Sequence, residues 1–339
     1  NIVIGASSTA SSATVSNEIT LGDANITKLR VPGINVTLKD NGGTPTQGHV
    51  LTVDGSGEAS FEAASAGVSS DSYENTVGGT AAGDSLTSGS TKNTFFGYLA
   101  GASVNTGDYN TAVGNDALKD CASGQHNTAL GYNAADDFTG HQATVVGSMA
   151  LQAATSAARI TAIGYEALYN TTTGGYNTAV GWGALRTPQT AEHNTAVGHQ
   201  SMYATSTAFD CTSVGSNSLY SLTTGNYNTA VGAGAAQNAT TATETVAVGN
   251  RAAYNLTTGN FNTAVGRNAL EDGATCAQSV AVGTGALKDV TTGNNNVGIG
   301  YQAGYQITNG DSNVCVGLEA GGNISGGANN ICIGNGTSV

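Results

Sequence analysis

Along most of the chain a β-branched residue, a small residue and a second aliphatic residue stand in alternation before a glycine, as in Asn177-Thr178-Ala179-Val180-Gly181 and Asn262-Thr263-Ala264-Val265-Gly266. Alternation with period two in residues that suit a pleated backbone predicts a short β-strand at each such word. The word closes on Gly97, Gly114, Gly131, Gly147, Gly164, Gly181, Gly198, Gly215, Gly232, Gly249, Gly266, Gly283, Gly300, Gly317 and Gly334. Thirteen of the fourteen intervals are 17 residues and one, from Gly131 to Gly147, is 16. A fixed register of this kind is the mark of a stacked repeat. A weaker copy ends in Gly78-Gly79, and Gly5 and Gly22 are also 17 residues apart.

Positions are counted from the closing glycine as 0. Position −3 is β-branched in all fifteen copies and Thr in ten, −2 is usually Ala, and −1 is Val, Ile, Leu or Phe. Position +3 is Ala in twelve copies, often followed by Leu as at Leu118, Leu168 and Leu270. A small residue returns near +10, as at Gly107, Gly174 and Gly259, where a turn with positive φ is expected. One coil is therefore strand, bend, short segment and turn. A single coil cannot bury its apolar residues, but stacked coils pair as parallel strands around a continuous core. The predicted fold is all-β: a parallel β-roll or β-solenoid of about 15 coils.

Two assignments of the strand faces are open. If the β-branched columns point inward, the Ala column forms a long uncharged outer stripe, and copies of the chain pack along it; this is the expectation carried forward. The alternative puts Ala in a narrow interior and Thr toward water. Asn at −4 in ten copies, among them Asn110, Asn177 and Asn313, predicts a ladder of amides from coil to coil.

Residues 1–30 read as N-terminal roll-like coils, 31–64 as a small β insert, 65–92 as a Ser/Gly/Thr-rich linker with a degenerate coil, and 93–339 as the repeat shaft. Within the insert, Ile34, Val36 and Leu38 alternate with polar residues, Asp40-Asn41-Gly42-Gly43 reads as a turn, and Val50-Leu51-Thr52-Val53 leads through Asp54-Gly55-Ser56-Gly57 toward Phe61 as a hairpin.

Composition narrows the function. Only 10% of residues are charged, with 23 acidic against 10 basic and a net charge of −13, and the cations are scattered singly. Nucleic-acid binding needs a basic stripe, so it is not expected. No apolar run approaches the ~18 residues of a membrane span, so membrane insertion is not expected. Cys121, Cys211, Cys276, Cys315 and Cys332 show no metal-ligand spacing, and free buried thiols are expected.

No catalytic, cofactor or metal site is expected. His126 and His193 occupy a column shared with Tyr109, Tyr176, Tyr227 and Phe261, and no nucleophile accompanies them. Asp136-Asp137 and Glu271-Asp272 have no basic neighbour in sequence to tune them and read as solvated turn charges. Tyr98, Tyr132, Tyr165, Trp182 and Tyr301, just after the closing glycine, are the candidate glycan contacts, because aromatic faces on an uncharged rod suit sugar rings.

Runs such as Gly175-Tyr176-Asn177-Thr178-Ala179-Val180-Gly181-Trp182-Gly183-Ala184-Leu185 resemble the repeats of phage and virus tail-fibre proteins. They are also similar to the head repeat of trimeric autotransporter adhesins, whose word is Asn-Ser-Val-Ala-Ile-Gly. The resemblance implies a left-handed parallel β-roll assembled as a homotrimer, at a virion surface or otherwise extracellular, serving host attachment. The expected function is the structural shaft of a viral tail fibre or similar appendage, without enzymatic activity. The alternative is an adhesin head whose roll surface itself binds a host glycan or matrix protein.

Overall fold

The computed structural model describes residues 2–4, 19–21, 49–53, 59–63 and 68–337. Contacts divide the chain into two compact units, Asn1–Ser65 and Ala66–Val339. In the first, Ile2–Ile4 pairs in parallel with Ile19–Leu21, 17 residues on, and His49–Val53 pairs antiparallel with Ala59–Ala63. The alternation at Ile34, Val36 and Leu38 and the turn at Asp40-Asn41-Gly42-Gly43 lie outside the described residues.

The second unit is a parallel β-solenoid without helix among the described residues. Its ladder runs in chain order from Thr76–Gly78 through Thr94–Phe96 to Ile331–Ile333, each strand paired with the next at the same place in the repeat, as in Thr178↔Thr195 and Ala179↔Ala196. Backbone hydrogen bonds also join the bends, for example Gly183 N to Tyr165 O at 2.9 Å and Leu185 N to Ser201 O at 2.9 Å. Pairing is thus continuous around the coil, which satisfies the backbone groups that a thin interior would otherwise strand.

The faces are the reverse of the expectation carried forward. Position −2 is buried throughout, from Phe95 to Cys332, whereas the Thr and Val columns at −3 and −1 are half-buried or exposed. The small-residue stripe is interior and cannot be a contact between copies. The reason is volume. Position −2 faces the residue at +4 across a thin coil, and in several coils a large side chain at one is matched by a small one at the other. Where −2 is Phe95, +4 is Gly101, whose added Cβ would lie 2.6 Å from the ring. Where −2 is Cys315, +4 is Gly321, with 2.3 Å to the sulfur. Gly298 is itself forced small by Leu287, at 2.7 Å. In other coils Ala at −2 is combined with Leu at +4, as with Ala179 and Leu185, both buried.

The closing glycine is fixed by two constraints. Gly181 has φ +138°, and an added Cβ would lie 2.4 Å from the carbonyl oxygen of Gly198 in the next coil. The small residue near +10 has a different cause from the one expected: Gly107, Gly174 and Gly259 are not in the positive-φ region, and a Cβ there meets the next coil's carbonyl at 2.2, 2.0 and 1.8 Å. Positive φ falls instead at −5, +2 and +4, on residues such as Tyr176, Gln200 and Leu185.

The Asn column forms the expected ladder, but chiefly with backbone. Asn194 N donates to Asn177 Oδ1 at 2.9 Å, and Asn177 Nδ2 donates to Ala191 O at 2.7 Å. Each amide therefore ties its own coil to two places in the next. At the irregular coils the ladder is replaced without loss of register. Ala143 and Ile160 stand in the Asn column, and there the strands lengthen to His141–Val146 and Ala158–Ile163. The 16-residue step omits one residue from the turn before Gly140, leaving Ala129 paired with Val145. Where Ser replaces Ala at Ser201, Ser213 and Ser218, the buried hydroxyls bond one another, Ser201 Oγ to Ser213 Oγ at 2.8 Å.

Asn194→Ala leaves a buried N–H and a buried carbonyl unpaired, a cost of about 1–3 kcal/mol. Gly181→Ala and Ala179→Glu should be worse, the first by collision with the next coil and the second by a carboxylate in the apolar interior. Thermal unfolding followed by circular dichroism should rank wild type above Asn194→Ala and both others lowest; an Ala179→Glu variant as stable as wild type would contradict the interior placement of Ala179.

Candidate functional site

Two outward strand columns and the two columns that border them form the surface with chemistry to examine. The strand puts −3 and −1 outward by its own alternation, and the left-handed residue at −5 and the turn after the closing glycine bring −5 and +1 to either side. All five predicted aromatics stand exposed in column +1. Tyr165 and Trp182 are brought together in adjacent coils, ring centroids 6.2 Å apart, and His199 stacks on Trp182 at 5.0 Å. Tyr98, Tyr132 and Tyr301 are not joined to them, because Asn115, Ser148 and Thr284 occupy the intervening coils.

Stacking changes what the rings offer. Column −5 carries Tyr109 on His126 at 4.8 Å and Tyr176 on His193 at 4.7 Å, with Lys92 over Tyr109 and Arg159 over Tyr176. Rings stacked along the rod cover one another's faces and present edges outward, so Trp182, between Tyr165 and His199, has no open face for a sugar. The candidate glycan contacts do not converge on a pocket.

A third ladder, at +5, was not read from the sequence. Arg186 lies over Tyr169 at 5.1 Å and over Tyr203 at 5.6 Å, and Tyr203 stacks on Tyr220 at 5.2 Å. The signal was present as Tyr169, Arg186, Tyr203 and Tyr220 at successive 17-residue steps, diluted by Gln and charged residues in the same column. A fourth, at +8, links Thr hydroxyls to the next coil's carbonyls, as in Thr240 Oγ1 to Thr257 O at 3.1 Å.

The acidic pairs do have basic partners, one coil away and so hidden in the sequence. Lys119 Nζ lies 3.1 Å from Asp136 Oδ1, and Glu271 sits between Arg251 at 2.8 Å and Lys288 at 3.8 Å. Burial pushes the Asp136 carboxyl above its ordinary value against the opposing hydrogen bond from Lys119. Glu166 accepts from Arg186 Nε at 2.5 Å, and that bond holds its carboxyl below the usual range. Asp120, Asp136 and Asp137 bring carboxylate oxygens within 4.8 Å of one another, but Lys119 reaches both Asp120 and Asp136 and accounts for the grouping. Ser103 Oγ donates to Asp120 Oδ1 at 3.2 Å.

All five cysteines are free and buried. Burial pushes the thiols of Cys121 and Cys315 up to about 11 and that of Cys276 to about 12. Cys211 stands in the Asn column and accepts the Asn228 N–H at 3.4 Å in place of an amide oxygen.

Comparison with protein families, curated proteins and solved structures returns no match for this chain. What the surface can do rests on its own chemistry: it is periodic, aromatic in places at its borders, β-branched along its middle with Thr prevailing at −3 and Val at −1, and nearly uncharged.

Two measurements check this electrostatic and thiol assignment. Thiol titration at neutral pH should find the cysteines unreactive in the folded chain and all five accessible in denaturant. The depressed Glu166 carboxyl contributes stability above its unfolded value that is lost as pH falls through its folded one. Glu166→Gln should therefore weaken the chain at neutral pH and flatten its acid limb, read from melting temperature against pH; an unchanged profile would remove Glu166 from the account.

Proposed function

We propose that this chain is the non-enzymatic shaft of a surface fibre, of the viral tail-fibre kind, holding an attachment element away from the particle. One observation carries this reading: from Thr94 to Ile333 each coil restates its neighbour. A specific site needs several unlike polar groups converging at one place. Here the irregular features are absorbed by the scaffold, whether the shortened coil before Gly147, Ala143 and Ile160 in the Asn column, or the hydroxyl cluster at Ser213. Fourteen steps at ~4.8 Å make the repeat region a rod of about 70 Å, a length suited to a spacer.

A second reading, an adhesin surface, is favoured by one feature. Tyr98, Tyr132 and Tyr301 are exposed and, unlike Trp182, carry no stacked ring.

Immobilised full-length chain presented to a glycan array separates the two. The shaft reading expects no glycan retained through the repeat region, and deletion of residues 198–231 should shorten the rod by about 10 Å in electron micrographs while leaving it folded. Glycan capture that Tyr98→Ala and Tyr132→Ala together abolish would replace the shaft with the adhesin.

A further inference from the structure

Nine successive coils carry Thr at −3, from Thr94 to Thr229, and each has Val, Ile, Leu or Phe at −1. The row is in register throughout: Thr161, Thr178 and Thr195 are direct cross-strand partners, and Thr144 meets Thr128 even across the shortened coil. From Gly97 to Gly215 the missing Cβ of each closing glycine lies 2.3 to 2.6 Å from the carbonyl oxygen of the next, so one coil follows another by nearly the same step. The threonines at −3 do not serve the scaffold. Thr hydroxyl bonds from coil to coil are made chiefly at +8, as in Thr172 Oγ1 to Gln189 O at 2.6 Å and Thr257 Oγ1 to Ala274 O at 2.7 Å. Those at −3 are half-buried or exposed on the outer side of their strands. No coil from Gly97 to Gly334 has a charge at −3 or −1, although the chain carries 10 basic and 23 acidic side chains.

We infer that this face binds ice. The inference goes beyond the shaft reading and does not rest on it. Three physical points select a crystalline water surface as the occupant. The first is spacing. Hydroxyls recur every ~4.8 Å along the rod, and the −1 row runs beside them about 6.7 Å away, two residues along the strand. The two repeats of the prism face of hexagonal ice lie close to these distances, so waters held on the Thr row take up lattice positions. The second is stiffness. A β-branched side chain has few χ1 choices, and each Thr is flanked by its own kind, so the hydroxyls keep one orientation over eight steps, about 38 Å. The third is hydration. A charged group would hold water in a shell of its own, whereas the methyl groups of Thr and Val restrict the orientation of neighbouring water without binding it. A protein partner would have to cover the hydroxyl row and provide each hydroxyl with a hydrogen-bond partner, at a cost wherever one is missing. Ice provides them through its own lattice.

Slow growth of ice from a dilute solution of the full chain tests this directly. Wild type should be taken up into the ice fraction and should inhibit recrystallisation in frozen films. Thr178→Tyr with Thr195→Tyr sets two rings across the row without entering the core, and both activities should be lost. Thr178→Lys with Thr195→Lys reaches the same end by a different route, placing strongly hydrated charge on the row, and keeps the test open if the rings disturb folding. Thr224→Tyr with Thr241→Tyr adds equal bulk on exposed turns of adjacent coils and should retain both activities. The β-sheet circular dichroism of all four chains should be alike. Wild type left in the liquid as completely as an unrelated soluble protein, face variants taken up as fully as wild type, or a turn variant lost together with them would each overturn the inference. None of these results bears on whether residues 198–231 act as a spacer, which the glycan array and rod length decide separately.

Discussion

The structure depends on how closely successive coils approach at the closing glycine. With φ +138° at Gly181 and only 2.4 Å between its missing Cβ and the Gly198 carbonyl oxygen, one coil sits on the next without an intervening side chain. That contact recurs at every coil from Gly97 to Gly317. It holds the chain to a fixed circuit length, because any residue gained or lost within a strand would move the glycine off its partner. The one shortened circuit takes its missing residue from a turn, where register is not at stake.

A circuit this tight leaves a narrow interior, and the rest of the residue pattern follows. In many coils Ala at −2 faces Leu at +4, and where −2 is enlarged +4 shrinks, as at Phe95 with Gly101 and Cys315 with Gly321. Asn at −4 spans the remaining gap because its amide has both an acceptor and donors, which the backbone of the next coil completes. With −2 turned inward, strand alternation puts the branched residues at −3 and −1 outside, while the core takes its volume from Leu at +4 and from side chains further round the coil such as Phe138, Leu222 and Ile307. The branched residues leave the solenoid with a face of Thr and Val that carries no charge at −3 or −1, and stacked aromatic and ionic ladders stand beside it.

Much of this was legible in the sequence. The 17-residue register gave the strands, their parallel pairing and the stacking of Asn177 on Asn194, because periodicity is a one-dimensional property that folding preserves. The direction of the strand faces was not legible. In Thr178-Ala179-Val180 alternation shows that Ala179 opposes its neighbours, but which side is interior depends on the width of the coil, set by contacts between −2 and +4. The pairing of Lys119 with Asp136 and of Arg186 with Glu166 was hidden for a related reason: partners 17 and 20 residues apart become neighbours only when coils stack. The candidate aromatics were found as a column, but their stacking, which covers the faces of Trp182, depends on the separation between coils.

The central claim is that distance along the rod counts coils. Nitroxide labels on exposed turn positions of one column test it directly by pulsed dipolar spectroscopy. Labels at Thr190→Cys and Thr241→Cys are three coils apart, and labels at Thr190→Cys and Thr292→Cys are six. At ~4.8 Å per coil the account predicts about 14 Å for the first pair and about 29 Å for the second, a doubling that follows coil number. Distances for the two pairs that are equal, or a shorter one for the six-coil pair, would contradict the stack on which every other conclusion rests.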